Sequence, residues 1–535
     1  MGLLVLASSV VADVKYTVVA FTKNPANRVA VQVKGNTHYL QTTKDLPYIW
    51  TATVRGVSSS NSYRYVEFDR KNKMVDREKD KRYPKGSFKT ATPNDFFGRN
   101  ETFIAVPKLE QIYKDVRPKP SKVFDNRQVA TIHFNVDPAE FDHMMQNPRD
   151  REIKIKANLT FVNADLIHSS DNVRLSISGN SSRKRQKVSL KVKFPKTLPK
   201  GDPFFDRPIL KLRAGAADPT VMREMLYVDV LNAVGIHASE TSWVRAYVNG
   251  KPQGFFLMME DIEEPFVMNT IHRGTVTNVT ELGSLYQMGK AEAPMIYQGP
   301  NAKDYKSNVY ETKVAGPGDK DMVKWIAFMK DLQDFKSSDR DAVAFWSKRL
   351  ELDSFLRAMA VDYLAGAWDS FWARGHNYFM YLHPQTNLWQ FLPSDFDHSF
   401  NDDKRPNPDL PYREWTPKQG SQGFTGRPLV TKLIIENKAI NKMFETIVLR
   451  ITDRVFNREA LYPLIDAHTK RIANEVDWDV KIDRSHLPGS PFKRSMKHFY
   501  VDIGEDTPKY SGGQVLGIKP YVKWRANYVR ANVGK

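Results

Sequence analysis

The chain has no cysteine among its 535 residues. That excludes disulfides, thiolate metal sites and a cysteine nucleophile, and it leaves the compartment open. Several catalytic signatures are missing too: a GxSxG elbow, an HExxH helix, a GxGxxG after a strand, and a GxxxxGK phosphate loop followed by Ser or Thr. No paired Cys/His ligands or aromatic-basic RNA-binding pattern mark a nucleic-acid module. There is no internal repeat, no low-complexity tract and no transmembrane segment.

What is present is globular. The 41% hydrophobic and 12% aromatic content argue against disorder. The length calls for at least two domains. Eighty Lys and Arg against 61 Asp and Glu leave a net charge of +19, which favours acidic partners or is simply a solvated basic surface. Residues 1–12, with "LLVLASSVVADV", read as a signal peptide. Its basic leading region is missing, which fits a truncated start; an ordinary buried strand is the alternative. Sequons at Asn100, Asn158, Asn180 and Asn278 favour secretion. The last residues, "YVRANVGK", carry no lipid-anchor signal.

Residues 13–95 read as strands: "VKYTVVAF", "RVAVQVKG", "YIWTATVRG" and "SYRYVEFD" are rich in β-branched and aromatic residues. A small antiparallel β-sandwich is expected there. Residues 96–124, including "DVRPKPSK", read as a linker. From 125 to 535 the pattern becomes α+β. A helix is expected over 218–234, with Asp218 as N-cap and Pro219 at the first position. A hairpin is expected about Asn249-Gly250. Helices follow at 320–335, 340–367, 427–457 and 458–475, with a strand pair, "HNYFMYL" and "LWQFLPSD", between the second and third. The stretch 286–308 reads as an exposed loop, recognising a partner or merely variable.

Polar groups stand where apolar elements stop. In "KVSLKVKF", Lys187, Ser189, Lys191 and Lys193 share one face, opposite Val188, Leu190, Val192 and Phe194. One lysine of such a row can neutralise phosphate; a solvated row is the plainer alternative. Glu260 ends "GFFLMME" and either faces solvent or pairs with a strand lysine, as the lysine that meets nucleotide phosphates is held in kinases. Asp369 follows a long helix and precedes His376-Asn377, offering a base and an amide metal ligand. Asp362, inside that helix, reads as structural. "SDFDHSF" places Asp395 and Asp397 about Phe396, like a kinase Asp-Phe-Gly with Asp for Gly. Two carboxylates suit Mg²⁺; a solvated turn is the plainer alternative for such a pattern alone.

Taken in order, "LSISGNSS", "KVSLKVKF", "ILKLRAGAADPTVMREMLYVDVLNAVG", "AYVNGKPQGFFLMMEDIEEPFV", "AWDSFWARGHNYFMYL" and "LWQFLPSDFDHSF" resemble the CotH family of spore-coat-protein-H-like kinases. The resemblance covers roughly residues 125–500. It implies an α+β fold: a divergent protein-kinase-like domain preceded here by the β-sandwich. It implies use of ATP and Mg²⁺ to phosphorylate Ser or Thr of a Ser-rich or acidic coat or surface protein. On that likeness Lys191 is the phosphate-binding lysine, Glu260 its partner and Asp369 the catalytic carboxylate. Asp395, Asp397 and Asn377 are metal ligands; Asn180, Ser181, Arg174 and Arg213 are candidate phosphate contacts. A secreted, cell-surface or spore-coat location follows, and with it two alternatives: an adhesin or invasin whose domain is a scaffold for a host or cell-wall receptor, or a nucleotide-binding pseudokinase. The usual glycine-rich loop is missing, and "SGNSS" takes its place only if Asn180 is not glycosylated.

Overall fold

The computed structural model describes residues 12–83, 90–99, 101–118, 121–289, 292–400, 409–415, 426–492, 494–504, 509–510, 513–514 and 517–535. The signal-peptide run up to Val11 lies outside them, as does the Asn100 sequon.

Seven strands open the chain: β1 (Ala12–Val19), β2 (Arg28–Val33), β3 (Asn36–Tyr39), β4 (Ile49–Val57), β5 (Tyr63–Phe68), β6 (Met74–Arg77) and β7 (Ala91–Phe96). They form two sheets, β4-β1-β7 and β3-β2-β5-β6. Alternation drives the arrangement: Val14, Tyr16 and Val18 of one sheet and Val29, Val31 and Val33 of the other enter one buried cluster. The expectation of a wholly antiparallel arrangement is corrected. β7 returns to the free edge of β1 and runs parallel to it.

Next come β8 (Ala130–Val136), β9 (Ile155–Val162), β10 (Ile167–Ser178), β11 (Ser189–Lys193), β12 (Ile209–Arg213), β13 (Thr241–Val248) and β14 (Lys251–Glu260). They close into a barrel in the order β10-β11-β12-β14-β13-β8-β9, which leaves no free edge. Val188, Leu190, Val192 and Phe194 fill its interior with Leu210, Leu212, Phe256 and Met258. The lysine face of "KVSLKVKF" is therefore outside. Asn249 and Gly250 turn the β13–β14 hairpin at positive φ, 48° and 76°, as the sequence predicts.

The remainder is helical around a four-stranded sheet, β15 (Leu285–Met288), β16 (Glu311–Val314), β17 (Tyr378–His383) and β18 (Leu388–Pro393), in the order β16-β15-β17-β18. β17 and β18 are the predicted pair. The stretch 286–308 is an exposed loop only in part: Tyr286, Met288, Ala293, Met295 and Tyr305 are buried in the main core, whereas Gln298, Pro300, Asn301, Lys303 and residues 306–308 are exposed. The helix expected over 218–234 starts later, at Arg223. Val221 takes a left-handed φ of 54° and breaks the turn. Asp218 still accepts from the N–H groups of Met222 and Arg223. The helix expected over 340–367 is two, Ala342–Ser347 and Leu352–Ala365. That over 427–457 is likewise two, Leu429–Glu436 and Lys438–Arg454, parted at Asn437. No helix among the described residues is long and apolar enough to cross a membrane.

Candidate active site

β11, β12 and β14 set the basic side of the site. Lys191 lies opposite Lys211, and Lys211 opposite Met259. Period-two alternation then puts Arg213 on the same outer face. It also decides which acid meets the lysines. Glu260 pairs with Leu210, so its side chain falls on the other parity; Asp261 falls on the lysine face. Lys191 accordingly donates to Asp261 and Glu263, Lys211 lies 2.5 Å from Asp261, and Lys193 lies 3.2 Å from Glu263. The expected Lys191–Glu260 pairing is corrected on this ground. Glu260 meets Arg207 at 2.9 Å and accepts from the Glu240 N–H. Burial raises the Glu260 carboxyl to about 8, with Arg207 opposing. Burial also pushes Asp261 upward, but Lys211 and Lys191 outweigh it and hold the carboxyl well below the usual range.

The acidic side comes from the β17–β18 pair. Tyr378 is opposite Pro393, and the Ser394 N–H donates to the Asn377 carbonyl. The segments leaving these strands are thus held together. Asn377 and Asp395 both take left-handed backbone, φ 55° and 64°, a conformation costly for a non-glycine residue and common at functional sites. Phe396 stacks on Tyr227 with centroids 4.1 Å apart. That buried anchor turns Asp395 and Asp397 toward the barrel.

Arg213 joins the two sides. Its guanidinium meets Asp395 at 2.5 Å, Asp397 at 2.9 Å and Glu224 at 2.9 Å. The Asp395 side chain keeps 41% exposure, Asp397 19% and Glu224 5%. Low-dielectric surroundings push all three carboxyls up. They raise Asp397 to about 6 and Glu224 to about 8, against Arg213. For Asp395 the guanidinium wins and holds the carboxyl well below the usual range.

Asp369 sits beside this cluster. Asn377 donates to its carboxylate at 3.2 Å and to its carbonyl at 2.9 Å, and Arg374 donates at 3.1 Å. The His376 ring lies 3.8 Å away. Burial raises the Asp369 carboxyl, with His376 opposing and Asp395 adding. Asp362 is structural, as expected: it accepts from Ser370, the Trp372 N–H and Tyr227, tying the Asp369 loop to its helix.

The structure therefore brings Asp369, Asn377, Asp395, Asp397 and Arg213 into one place, with Lys191 on the same barrel face as Arg213. Arg174 lies opposite Lys193 on that face. Asn180 and Ser181 are not in the cluster; Asn180 accepts from Arg151 in the turn after β10. Glu224, Lys211, Asp261 and Glu263 escaped the sequence reading. The alternation in "ILKLR" marks Lys211, while Glu224 shows only as one acid in a helix.

Carboxylate and amide oxygens are the donors Mg²⁺ takes, one or two from protein and the rest from phosphate and water. Asp395, Asp397 and Asn377 fit that need. Among the described residues no group of three His, Cys, Asp or Glu forms a ready metal cage, and Arg213 holds the place between Asp395 and Asp397.

The family model described as CotH kinase protein matches residues 175–528. Invasin CotH2 of Rhizopus delemar is 28% identical over 445 residues, 81% of this chain and 72% of that protein. Spore coat protein homolog 1 of the same organism is 27% identical over 542 residues, 98% of this chain and 83% of that protein. Inner spore coat protein H of Bacillus subtilis is 22% identical over 309 residues, 56% of this chain and 76% of that protein. With its family model matched over well more than half of its length, from β10 through the β17–β18 carboxylates and beyond, the chain belongs to the CotH family.

Proposed function

We propose that the chain is a protein kinase that transfers the γ-phosphoryl group of ATP to a Ser or Thr hydroxyl of a coat or surface protein. One observation carries this: Asp369, Asn377, Asp395 and Asp397 converge opposite the Arg213–Lys211–Lys191 face of the barrel. Phosphoryl transfer is mostly positioning and charge neutralisation, and needs a basic cradle facing carboxylates. Asp395, Asp397 and Asn377 would hold Mg²⁺, which when bound would supply positive charge against the phosphates. Lys191 and Lys211 draw the phosphate oxygens to the barrel face, while Asp261 and Glu263 keep both ammonium groups in place. Asp369 accepts the hydroxyl proton as the new P–O bond forms and ADP leaves. Its raised carboxyl suits a base. The net charge of +19 favours an acidic acceptor. On this reading residues 125–535 form a divergent kinase-like domain and residues 13–95 an accessory sandwich module, in a protein of the cell surface or spore coat.

Purified chain with Mg²⁺ and labelled ATP is expected to phosphorylate itself or a Ser-rich acidic protein. Asp369→Asn and Asp395→Asn are each expected to lower transfer at least 100-fold. Transfer unchanged in both variants sinks the assignment. Thermal stabilisation by ATP and Mg²⁺ without any transfer points instead to a pseudokinase.

A second reading rests on the names of the relatives, several of which are invasins. Here the domain is a binding scaffold at a cell surface. Undiminished receptor or wall binding by the Asp369→Asn, Asp395→Asn double variant separates adhesion from catalysis.

A further inference from the structure

At one end of the barrel lies a cavity of about 750 Å³, within the size range of small-molecule sites. Val188, just before β11, and Leu190, Val248 and Phe256 of β11, β13 and β14 line it; the helix Pro138–Gln146, lying over this end, adds Phe141 and Met145. All six belong to the buried cluster that fills the barrel. None of the residues that line the cavity belongs to the Asp369–Asp395 cluster.

The polar lining has one sign in excess. Lys187, Lys251, Lys481 and Arg484 stand against Asp142 and Asp483. Lys187 and Arg484 are buried and share Asp479. Lys481 pairs with Asp477 while staying 71% exposed. Lys251 is exposed and makes no ion pair among the described residues. A ligand's polar groups would be stranded against the apolar wall, where an unbonded amide or hydroxyl is costly to bury. They belong at the mouth, beside the cations. The wall itself rewards only aliphatic or aromatic surface.

We infer that the barrel mouth binds an amphipathic carboxylate, its aliphatic chain in the cavity between the helix Pro138–Gln146 and the barrel end, and its head group beside Lys251 and Lys481. Such a ligand touches none of the residues assigned to phosphoryl transfer, so its binding is read without reference to kinase activity.

Calorimetric titration of the full chain with laurate is expected to show one saturable site. Dodecanol, of equal chain length and no charge, is expected to bind at least 10-fold more weakly. Leu190→Trp, which fills the cavity, is expected to weaken laurate at least 10-fold. Because Leu190 is a core residue, 3% exposed, the surface pair Lys251→Glu with Lys481→Glu is the second variant. It should melt like the parent, bind laurate at least 10-fold more weakly and bind dodecanol unchanged. No saturable laurate binding overturns the inference. So does laurate affinity unchanged in the surface variant, or inorganic phosphate binding as tightly as laurate.

Discussion

Arg213 shows how much of this site rests on one side chain. A single guanidinium faces Glu224, Asp395 and Asp397. Asp395 keeps contact with water, so its loss of a partner is cushioned; Glu224, raised to about 8, is mostly protonated at pH 7, which leaves Asp397, at 19% exposure, as the least relieved charge. Removing one partner of a buried pair costs about 3–5 kcal/mol, and solvent at Asp395 favours the lower end. Arg213→Met is expected to lower the unfolding free energy by about 3 kcal/mol at pH 7, read from the denaturant midpoint. A loss under about 1 kcal/mol would show that the carboxylates find other cations.

Asp362 gives a pH dependence of definite sign. Burial raises its carboxyl to about 7 from an ordinary 3.8, and the hydroxyl and amide donors around it only temper the rise. Between those values the folded state holds a proton that the unfolded chain has lost. Stability contributed below pH 4 is therefore lost as pH rises toward 7. Asp362→Asn cannot ionise, so its stability relative to the parent is expected to climb between pH 4 and 7 and level off above. Paired thermal melts across that range test it; a pH-independent difference refutes it. The type of residue was legible in sequence at Asp369, Asp395 and Lys191, because an apolar run makes a terminal charge conspicuous. Who pairs with whom was not. Glu260 and Asp261 are neighbours in sequence, and only the register against β12 tells which one faces the lysines.

At the scale of elements, strands were read well where alternation was strict, as in β11, and where a short apolar, aromatic-rich run was sharply bounded, as in β17 and β18. Helix boundaries failed where a polar side chain satisfies two segments at once. Asn437 accepts from the N–H groups of Ala439 and Ile440 and caps the helix Lys438–Arg454. It also donates to the carbonyls of Ser337 and Asp339, at 2.8 and 2.9 Å. These partners are about a hundred residues away, so the sequence reads on through the break. Replacing a capping Asn by Ala costs about 1 kcal/mol, and the stranded carbonyls add to that. Asn437→Ala is expected to destabilise by about 2 kcal/mol with an unchanged denaturant slope. Asn437→Asp keeps the cap but turns a buried carboxylate oxygen toward the Ser337 and Asp339 carbonyls, so it should destabilise at least as much as Asn437→Ala.

For the whole molecule, the question is whether the N-terminal sheets are a separate unit. The composition of residues 96–124 suggests a tether, yet the contacts reach across it. Val19, Tyr48, Ile49 and Phe96 share a buried cluster with Val162 of the barrel. The Phe21 ring stacks on Tyr247 of β13 at 3.7 Å, and Tyr48 lies 4.4 Å from His133 of β8. Arg99 donates to the Val129 carbonyl and Thr131 hydroxyl and lies 3.5 Å from Glu475 in the helix Arg458–Val480. The Ile112 N–H then bonds the Ala233 carbonyl. Aromatic pairs add about 0.5–1.5 kcal/mol each beyond their buried area, and truncating a buried aromatic costs about 3–5 kcal/mol. Together these contacts are comparable to a domain's stability, enough to make sheets and barrel unfold together. The parent is expected to give one calorimetric transition, and Phe21→Ala with Tyr48→Ala to split it in two, the N-terminal sheets melting first. The barrel-side transition should then stay near the parent temperature, because neither residue enters the cluster that fills the barrel. A single transition merely displaced to lower temperature would mean that Arg99 and the segment about Ile112 carry the coupling instead.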